Sequence, residues 1–281
     1  MIENIPSSRP SPSAINEVRF SVLAHAAWAP GLETPDAWTA WANGSPRSDS
    51  APQSGEPPLP AMPAMLRRRA SLPGRMALNA AYRAISAAAD RTDIPIVFCS
   101  RHGECGRSSE LLIDLAQKLP LSPTAFSLSV HNATGGLFSI ARHDHANSVA
   151  LAAGHSTIEH AAIEACSLLA DGANAVLLVA SDGPLPEAFS QFTDCDEQSF
   201  GWAWLVQAAQ TTPTAPTDTI SLRWSLCTDR QDRQNVQEIT EPIAEPITEP
   251  GGLQVMRFFL RGDPGLQRTA GNRHWIWSRH D

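Results

Sequence analysis

The chain has 281 residues, of which 42% are hydrophobic and 18% charged, so it can bury the core of a globular protein. Its formal net charge of -8 argues against a nucleic-acid-binding surface. The first residues lack the basic start and apolar stretch of a secretion signal, and no apolar run is long enough to span a membrane. Five cysteines without C-x-x-C spacing are typical of free thiols in a cytoplasmic protein, and we expect no disulfide or metal site.

The first predicted elements are a strand and two helices, separated by a proline-rich segment. Residues 18–22 alternate between apolar and polar side chains, as on a strand. Thr34 followed by Pro35 is typical of a helix start. Residues 44–63 contain six prolines, which favours a loop or an insertion. The alanine-rich residues 71–89 favour a helix.

Three more elements are predicted before the middle of the chain. The apolar, β-branched residues 95–100 indicate a central parallel strand. Ser108 or Ser109 is expected to cap a helix that runs to Lys118. Residues 129–141 have the composition of a further helix.

A strand, a tight turn and a long helix form the most informative unit of the sequence. Residues 149–153 indicate a short buried strand, the sequence Gly-His-Ser at 154–156 a turn, and residues 156–170 a helix that precedes a second apolar run at 175–180. The predicted buried face of this helix comprises Ile158, Ala161, Ala162, Ala165 and Leu169.

The last third of the chain is predicted to contain strands and a linker. Residues 200–208 and 219–227 alternate as strands do. The repeated I-T-E-P sequence within residues 237–250 excludes a helix and indicates an extended linker or surface loop. We therefore expect an α/β layered domain over residues 1–236 and a C-terminal segment, 251–281, that packs back onto it.

Between about Met62 and Gln210, four blocks in order resemble the N-terminal half of β-ketoacyl synthases. They are R-R-R-A-S-L-P-G-R-M-A-L-N-A-A, S-V-H-N-A-T-G-G-L, the strand–turn–helix unit, and D-G-A-N-A-V-L-L-V-A-S-D. The second block, followed closely by the turn, is most similar to the short chain-length-factor proteins of aryl polyene (xanthomonadin-type) synthases. The resemblance implies a thiolase-like α/β layered fold, with the helix at 156–170 buried between sheets.

Two departures from the synthases bear on activity. Counting back from Gly172 places His155 where the family has its nucleophilic cysteine. The catalytic histidines of the family belong to its C-terminal half, and only His274 and His280 follow residue 210 here. The resemblance therefore implies a non-catalytic subunit without a cofactor. Such a subunit would pair with a catalytic ketosynthase and, through it, with an acyl carrier protein, in polyketide, aryl polyene or fatty-acid-like biosynthesis.

The resemblance also implies where the partner binds. In thiolase-like dimers, the strand before the turn and the S-V-H-N-A-T-G-G segment lie near the two-fold axis. His131, Asn132, Leu137 and Phe138 are accordingly expected at the partner interface or the substrate tunnel. The alternative for the first two is a core histidine and a helix-capping asparagine.

Other interpretations stay open at this stage. A free-standing acyltransferase or thioesterase would use His155 or Ser156, although Ile158 stands where the G-x-S-x-G motif of hydrolases needs glycine. A decayed paralogue without a partner is a third possibility. The triplet at 143–145, His-Asp-His, fits a polar loop better than a metal site.

Two further features of the sequence have a plain and a functional interpretation. The alternating tryptophans indicate either a packed core or a surface that anchors a partner; they are Trp202, Trp204, Trp275 and Trp277. The arginines at 67–69 are either solvated or face an acidic carrier protein.

Overall fold

The computed structural model describes residues 16–47, 55–88, 93–209, 218–227 and 249–280. Its strands are β1 (Asn16–Trp28), β2 (Ile96–Cys99), β3 (Ser148–Leu151), β4 (Val176–Asp182), β5 (Phe200–Ala208), β6 (Asp218–Leu226), β7 (Gly265–Ala270) and β8 (Arg273–His280). Its helices are α1 (Pro35–Ala42), α2 (Ala64–Arg67), α3 (Leu72–Ile85), α4 (Cys105–Ala116), α5 (Pro123–Ser127), α6 (Ala133–Arg142), α7 (Thr157–Ala170) and α8 (Gly251–Arg261). Single 3-10 turns follow α3 at Ser86–Ala88, precede α7 at Gly154–Ser156, and follow β4 at Glu187–Phe192.

All eight described strands belong to one mixed sheet, in the order β3-β2-β4-β5-β1-β6-β8-β7. The strand predicted to be central, β2, lies second from the β3 edge and runs parallel to β3 and β4. The remaining neighbours are antiparallel. The parallel strands are linked through helices, as parallel connections require. The fold is thus α/β and layered, as the sequence indicates.

Helices cover both faces of the sheet. On one face α3 packs with Leu137 and Phe138 of α6. On the other face α1, α7 and α8 bury a larger core that includes all four alternating tryptophans. Trp204 lies at its centre, with ring centroids 4.8 Å from Trp202 and 5.0 Å from Phe259. The core interpretation of these tryptophans is confirmed, because each is almost fully buried within the chain.

The position of α7 differs from the sequence-based expectation in one respect. Its apolar face is buried as predicted, at Ile158, Ala161, Ala162, Ala165 and Leu169. The helix lies on one face of a single sheet, however, and not between two sheets. Within the described residues no second sheet covers α7, because the last strands, β7 and β8, extend the same sheet and because α8 packs beside α7.

The strand before the turn is also different from the expectation. Residues 149–153 were expected to be buried, but β3 is the edge strand of the sheet and is half-buried. The carbonyls of Asn147 and Leu151 accept hydrogen bonds from the N–H groups of Ile96 and Ser100. In a parallel ladder the alternate residues, including Ala150, turn their N–H and C=O groups to the open side.

Most other predicted elements are present with small shifts. The Thr34 hydroxyl accepts a hydrogen bond from the N–H of Ala37 at 3.2 Å, which confirms the cap of α1. The helix predicted to begin at Ser108 or Ser109 begins at Cys105, and Ser109 is buried inside it. Residues 48–54 of the proline-rich segment and 237–248 of the linker lie outside the described residues. No described helix is long and apolar enough to cross a membrane.

Candidate functional site

The strand–turn–helix unit places His155 at the start of α7. Gly154 has a φ of 57°, a conformation that favours glycine, and the chain then turns into a single 3-10 turn before the helix. The Nε2 atom of His155 lies 2.8 Å from Oδ2 of Asp194, in the loop before β5. The imidazole of His155 is therefore already bound to a carboxylate.

A buried arginine holds this loop in place. Nη1 of Arg101, at the end of β2, donates to Asp194 at 2.9 Å, and its Nη2 donates to Glu197 at 3.1 Å. Its Nε lies 3.5 Å from Asp182 at the end of β4. The Arg101 guanidinium thus joins the ends of β2 and β4 to the loop that contacts His155. Asp194 contacts both Arg101 and His155.

The turn after β2 is fixed by the same carboxylates. Asp182 accepts hydrogen bonds from the Ser100 hydroxyl and the Arg101 backbone N–H, both at 2.8 Å. Burial raises the pKa of Asp182, and the Arg101 guanidinium opposes that shift. The ring of His102 lies 3.0 Å from Glu197. These contacts make a rigid polar layer beside the turn at 154–156.

The C-terminal hairpin closes the other side of the turn. Arg268 of β7 forms a buried ion pair with Glu159 of α7, and its Nη2 donates to the carbonyl of His155 at 3.1 Å. Nε1 of Trp277 also donates to Glu159, at 3.3 Å, and Gln254 of α8 accepts from Arg268. Residues from the last 30 positions therefore hold the turn from inside the core.

Almost no empty space remains around His155. The cavity between the turn, the strand ends of β2 and β4, and the start of α8 has a volume of about 10 Å³. That volume is at the lower limit for one water molecule. This cavity is too small to hold an acyl chain.

Thiols that could replace the missing nucleophile are protonated. Burial raises the pKa of Cys166 to about 12 and that of Cys195 to about 11, and it raises the pKa of Cys99 well above the usual value. Burial also raises the pKa of Cys105. At neutral pH these four cysteines behave as small apolar side chains and not as thiolates.

Ser156 is not arranged as a hydrolase nucleophile either. Its hydroxyl donates to the carbonyl of Ala153 at 3.1 Å, and the nearby His160 ring bonds the Ser156 carbonyl and not its hydroxyl. In the part of the chain that the structure describes, no imidazole nitrogen is hydrogen-bonded to that hydroxyl. The serine therefore lacks the base that activation requires.

His131 and Asn132 lie just before α6. Nε2 of His131 is 3.0 Å from the carbonyl of Ser100, and its ring packs against Gly103, where a Cβ atom would come within 2.5 Å. His131 thus supports the turn after β2. Asn132 is exposed at the start of α6, and its side chain makes no capping hydrogen bond.

Leu137 and Phe138 lie on the inner side of α6 and not on its surface. Both are buried in the core on the α3 face, where Phe138 lies 4.9 Å from Tyr82 and 6.0 Å from Phe98 between ring centroids. The expectation that these two side chains contact a partner subunit is therefore corrected. The reason is helical register, since the outward position of this helix is Ile140, which is 60% exposed.

Large apolar side chains are exposed along α4 to α6, and we call this region the α4–α6 surface. These side chains are Leu112, Ile113, Leu115, Leu119, Leu121, Phe126, Val130 and Ile140. Exposed apolar surface of this extent marks an interaction site more often than chance exposure. The signal available in the sequence was the run of Leu111, Leu112 and Ile113 with Leu115, which spans more than one face of α4.

The polar clusters do not form metal sites in the described residues. Asp144 accepts from the Ala146 N–H at 2.9 Å, and His143 and His145 are exposed, as a polar loop predicts. Asp194, Cys195 and Glu197 bring their ligand atoms within 4.8 Å of one another. The Arg101 guanidinium donates to all three, so a cation of the protein already occupies this position.

The chain belongs to the β-ketoacyl synthase family. The model of its N-terminal domain matches residues 38–278, which confirms the resemblance seen in the sequence. No curated protein matches the chain.

Solved structures extend the comparison. The complex of the ketosynthase ApeO with its chain length factor ApeC from Xenorhabdus doucetiae contains a chain that is 27% identical, with a TM-score of 0.72. The match covers 93% of this chain and 100% of that chain. The ishigamide ketosynthase/chain length factor is 12% identical, with a TM-score of 0.68 and coverage of 93% and 99%, and shows the same fold.

A further structure differs in length. The β-ketoacyl synthase from Burkholderia phymatum STM815 is 10% identical, with a TM-score of 0.53, and the match covers 74% of this chain but 64% of that one. The chains in the two ketosynthase/chain length factor structures are therefore matched over almost their whole length, and 93% of this chain is covered. It spans only part of this β-ketoacyl synthase.

Proposed function

We propose that this chain is a non-catalytic, chain-length-factor-type subunit that pairs with a catalytic β-ketoacyl synthase in polyketide, aryl polyene or fatty-acid-like biosynthesis. The observation that carries the proposal is the closed turn. His155, which the resemblance aligns with the nucleophile, is bound to Asp194 at 2.8 Å and borders a cavity of about 10 Å³. This geometry supports a subunit that has the fold of a synthase and does not carry out its chemistry.

The side chain itself also argues against catalysis by this subunit. Condensation needs a nucleophile that holds an acyl group as a stable thioester, which a thiolate at a helix N-terminus does well. An acyl-imidazole on His155 would hydrolyse readily. The Nε2 atom of His155, which would attack an acyl thioester, already contacts the Asp194 carboxylate. We therefore infer that His155 is a structural residue that fixes the loop at 194–197 against the start of α7.

The α4–α6 surface and the open edge of β3 support binding of a partner. Exposed side chains such as Phe126 (68% exposed) and Ile140 are large and apolar. Helix α6, which carries Ile140, contacts the edge strand β3, whose alternate N–H and C=O groups point outward. Unpaired edges and apolar patches are usually covered in the functional assembly. The X. doucetiae structure is a ketosynthase in complex with its chain length factor. We propose that a ketosynthase covers this surface, with an acyl carrier protein as an indirect partner.

Two of the expected interface residues keep a role in this proposal. Asn132 is exposed at the start of α6, next to Val130 of the α4–α6 surface. His131 supports the adjoining turn through the Ser100 carbonyl. We propose that Asn132 contacts the partner and that His131 holds the segment that presents it. All five cysteines are free, in keeping with the cytoplasmic location that we propose.

The proposal is tested by co-expression of this chain with the ketosynthase from its own genome, followed by size-exclusion chromatography. Phe126→Asp and Ile140→Asp should fold, because both side chains are exposed, and should each reduce co-purification about tenfold or more. Leu226→Asp, at an equally exposed position on β6 and distant in strand order from β3, is the matched control and should co-purify normally.

Two results would contradict the proposal. One is a wild-type chain that stays a stable monomer in the presence of the ketosynthase. The other is carbon–carbon bond formation from acyl and malonyl thioesters by the purified chain, free of synthase. Equal losses for Phe126→Asp, Ile140→Asp and Leu226→Asp would instead reject the α4–α6 surface as the place of binding.

A further inference from the structure

An open groove lies at the end of α1, apart from the turn at His155. It has a volume of about 550 Å³, within the size range of small-molecule sites. Its lining is Pro30, Trp41, Gly44, Ser45, Pro46, Arg47, Gln198, Ser199 and Arg257. The two arginines flank the indole of Trp41, with Cζ of Arg257 at 4.0 Å and Cζ of Arg47 at 5.9 Å from its ring centroid.

Arg257 shows how a guanidinium is used at this place. Its Nε and Nη2 donate to the two oxygens of Glu249, at 3.1 and 3.0 Å, as a side-on fork. Its Nη1 donates to the carbonyl of Trp41 at 3.0 Å. Every side of this guanidinium is engaged, so Arg257 is a fixed part of the wall.

Arg47 offers the same fork without an acceptor. Its Nη1 donates to the carbonyl of Ser199 at 3.4 Å, whereas its Nε and Nη2 are buried and have no hydrogen-bond partner among the described residues. Unsatisfied buried donors are rare and costly, and those of a charged group most of all. Burial also lowers the pKa of the Arg47 guanidinium, so the surroundings do not satisfy its charge.

From this geometry we propose that the groove is a binding site for an oxyanion, a carboxylate or a phosphate, held by the Nε–Nη2 fork of Arg47. Two acceptor oxygens about 2.2 Å apart match such a fork, which is why arginine binds these groups bidentately. The hydroxyls of Ser45 and Ser199 line the same groove and can donate to a remaining oxygen.

The neighbouring acidic groups do not occupy the fork. Glu249 is bound by Arg257, and Asp196 accepts a hydrogen bond from the amide of Gln198 at 2.9 Å. Both carboxylates act on Arg47 only at longer range. An anion in the groove would therefore bind this unpaired fork once the Arg47 side chain turns its buried Nε and Nη2 toward the groove. This site does not depend on the proposed pairing with a ketosynthase.

The test is calorimetric titration of the full-length chain with inorganic phosphate and, separately, with propionate. The two probes rank phosphate against carboxylate. Arg47→Gln should weaken the preferred anion about tenfold or more, because it removes a charge-assisted fork. Arg47→Lys should fall between wild type and Arg47→Gln, since it keeps the charge but not the fork. Arg19→Gln, a surface arginine bound to Glu17, is the matched control and should bind as wild type does.

Thermal melting of Arg47→Gln separates binding from folding. Arg47→Gln removes one long hydrogen bond but also two buried donors without partners, so the melting temperature without anion should not fall. In wild type the preferred anion should raise the melting temperature, and in Arg47→Gln it should not. Equal affinity of wild type and Arg47→Gln would overturn the proposal, as would the absence of heat with both probes at 10 mM, a concentration about tenfold above a millimolar Kd.

Discussion

We propose that His155 is the residue that separates this chain from a condensing enzyme. A cysteine at that position would lie beside Asp194, whose negative charge opposes formation of a thiolate. It would also border a cavity of about 10 Å³, too small for an acyl group. We expect that His155→Cys does not restore condensation.

The measurement is an assay of His155→Cys for carbon–carbon bond formation from acyl and malonyl thioesters, with wild type in parallel. Peptide mapping after alkylation at neutral pH reports whether the new thiol is reactive. Cys166 and Cys195 provide an internal reference, because burial raises their pKa to about 12 and about 11 and should leave them unmodified. Product formation by the variant would show that the missing thiol was the only obstacle.

A charge should lower the unfolding free energy strongly at one position of α6 and very little at another position two residues away. Phe138→Asp places a carboxylate among Tyr82 and Phe98, and should cost about 4 kcal/mol or more of unfolding free energy. Ile140→Asp lies on the exposed side and should change the free energy by about 0.5 kcal/mol or less. Chemical denaturation of both variants measures the difference. Similar stabilities would mean that the register of α6 is different.

This pair of residues also shows a limit of the sequence. The segment at 129–141 is recognisably helical, but small residues such as Ala133, Gly135 and Gly136 occur around the whole helix and leave no clear apolar stripe. Which side contacts the sheet is decided by Phe98 on β2 and Tyr82 on α3, far away in the sequence. Local pattern could not distinguish Phe138 from Ile140.

At the scale of elements, the ion pair between β7 and α7 holds the closed turn. Arg268 and Glu159 are both buried, so removing one partner leaves an uncompensated charge in the core. Glu159→Gln should cost about 3–5 kcal/mol. The double variant Glu159→Gln/Arg268→Met should recover part of that loss, because it removes both charges.

Equilibrium unfolding in urea measures both variants. Glu17→Gln is the control, because Glu17 pairs with the exposed Arg19 on β1, and such a pair contributes about 1 kcal/mol or less. The single variant Arg268→Met completes the comparison. If the losses of unfolding free energy of the two single variants simply add up in the double variant, the two side chains do not act as a pair.

Elements with a strong local pattern were predictable from the sequence, and those decided by distant partners were not. The alternation at 200–208 predicted the exact bounds of β5. The apolar face of α7 was also predicted correctly. Helix α4 begins at Cys105, earlier than predicted, although the side chain of its N-cap residue Glu104 makes no capping hydrogen bond. That side chain instead accepts hydrogen bonds from Ser71, 33 positions earlier, and from Arg107. The role of Arg268 at the turn was not predictable, because 109 positions separate it from Glu159.

At the scale of the whole molecule, the unexpected feature is the single sheet. The resemblance led to a helix between two sheets, but β7 and β8 join the sheet beside β6. The tryptophans fill the layer between this sheet and α8, where Trp204 contacts Phe259 and Trp277. A second layer of helices thus completes one face within the described residues, and the open edge at β3 remains for a partner.

The open edge of β3 bears on the oligomeric state of the chain. We expect the chain to self-associate or to be poorly soluble alone, and to form a one-to-one heterodimer with its ketosynthase. The α4–α6 surface and β3 together would bury an obligate-size interface of roughly 2,000 Å² or more. Light scattering coupled to size-exclusion chromatography compares the two preparations. Ala150→Pro removes an N–H on the open side of β3 without touching the ladder to β2, and should weaken the heterodimer while the fold is kept. A wild-type chain that is monomeric alone at high concentration and unaffected by the synthase would reject both the interface and the assignment of the subunit.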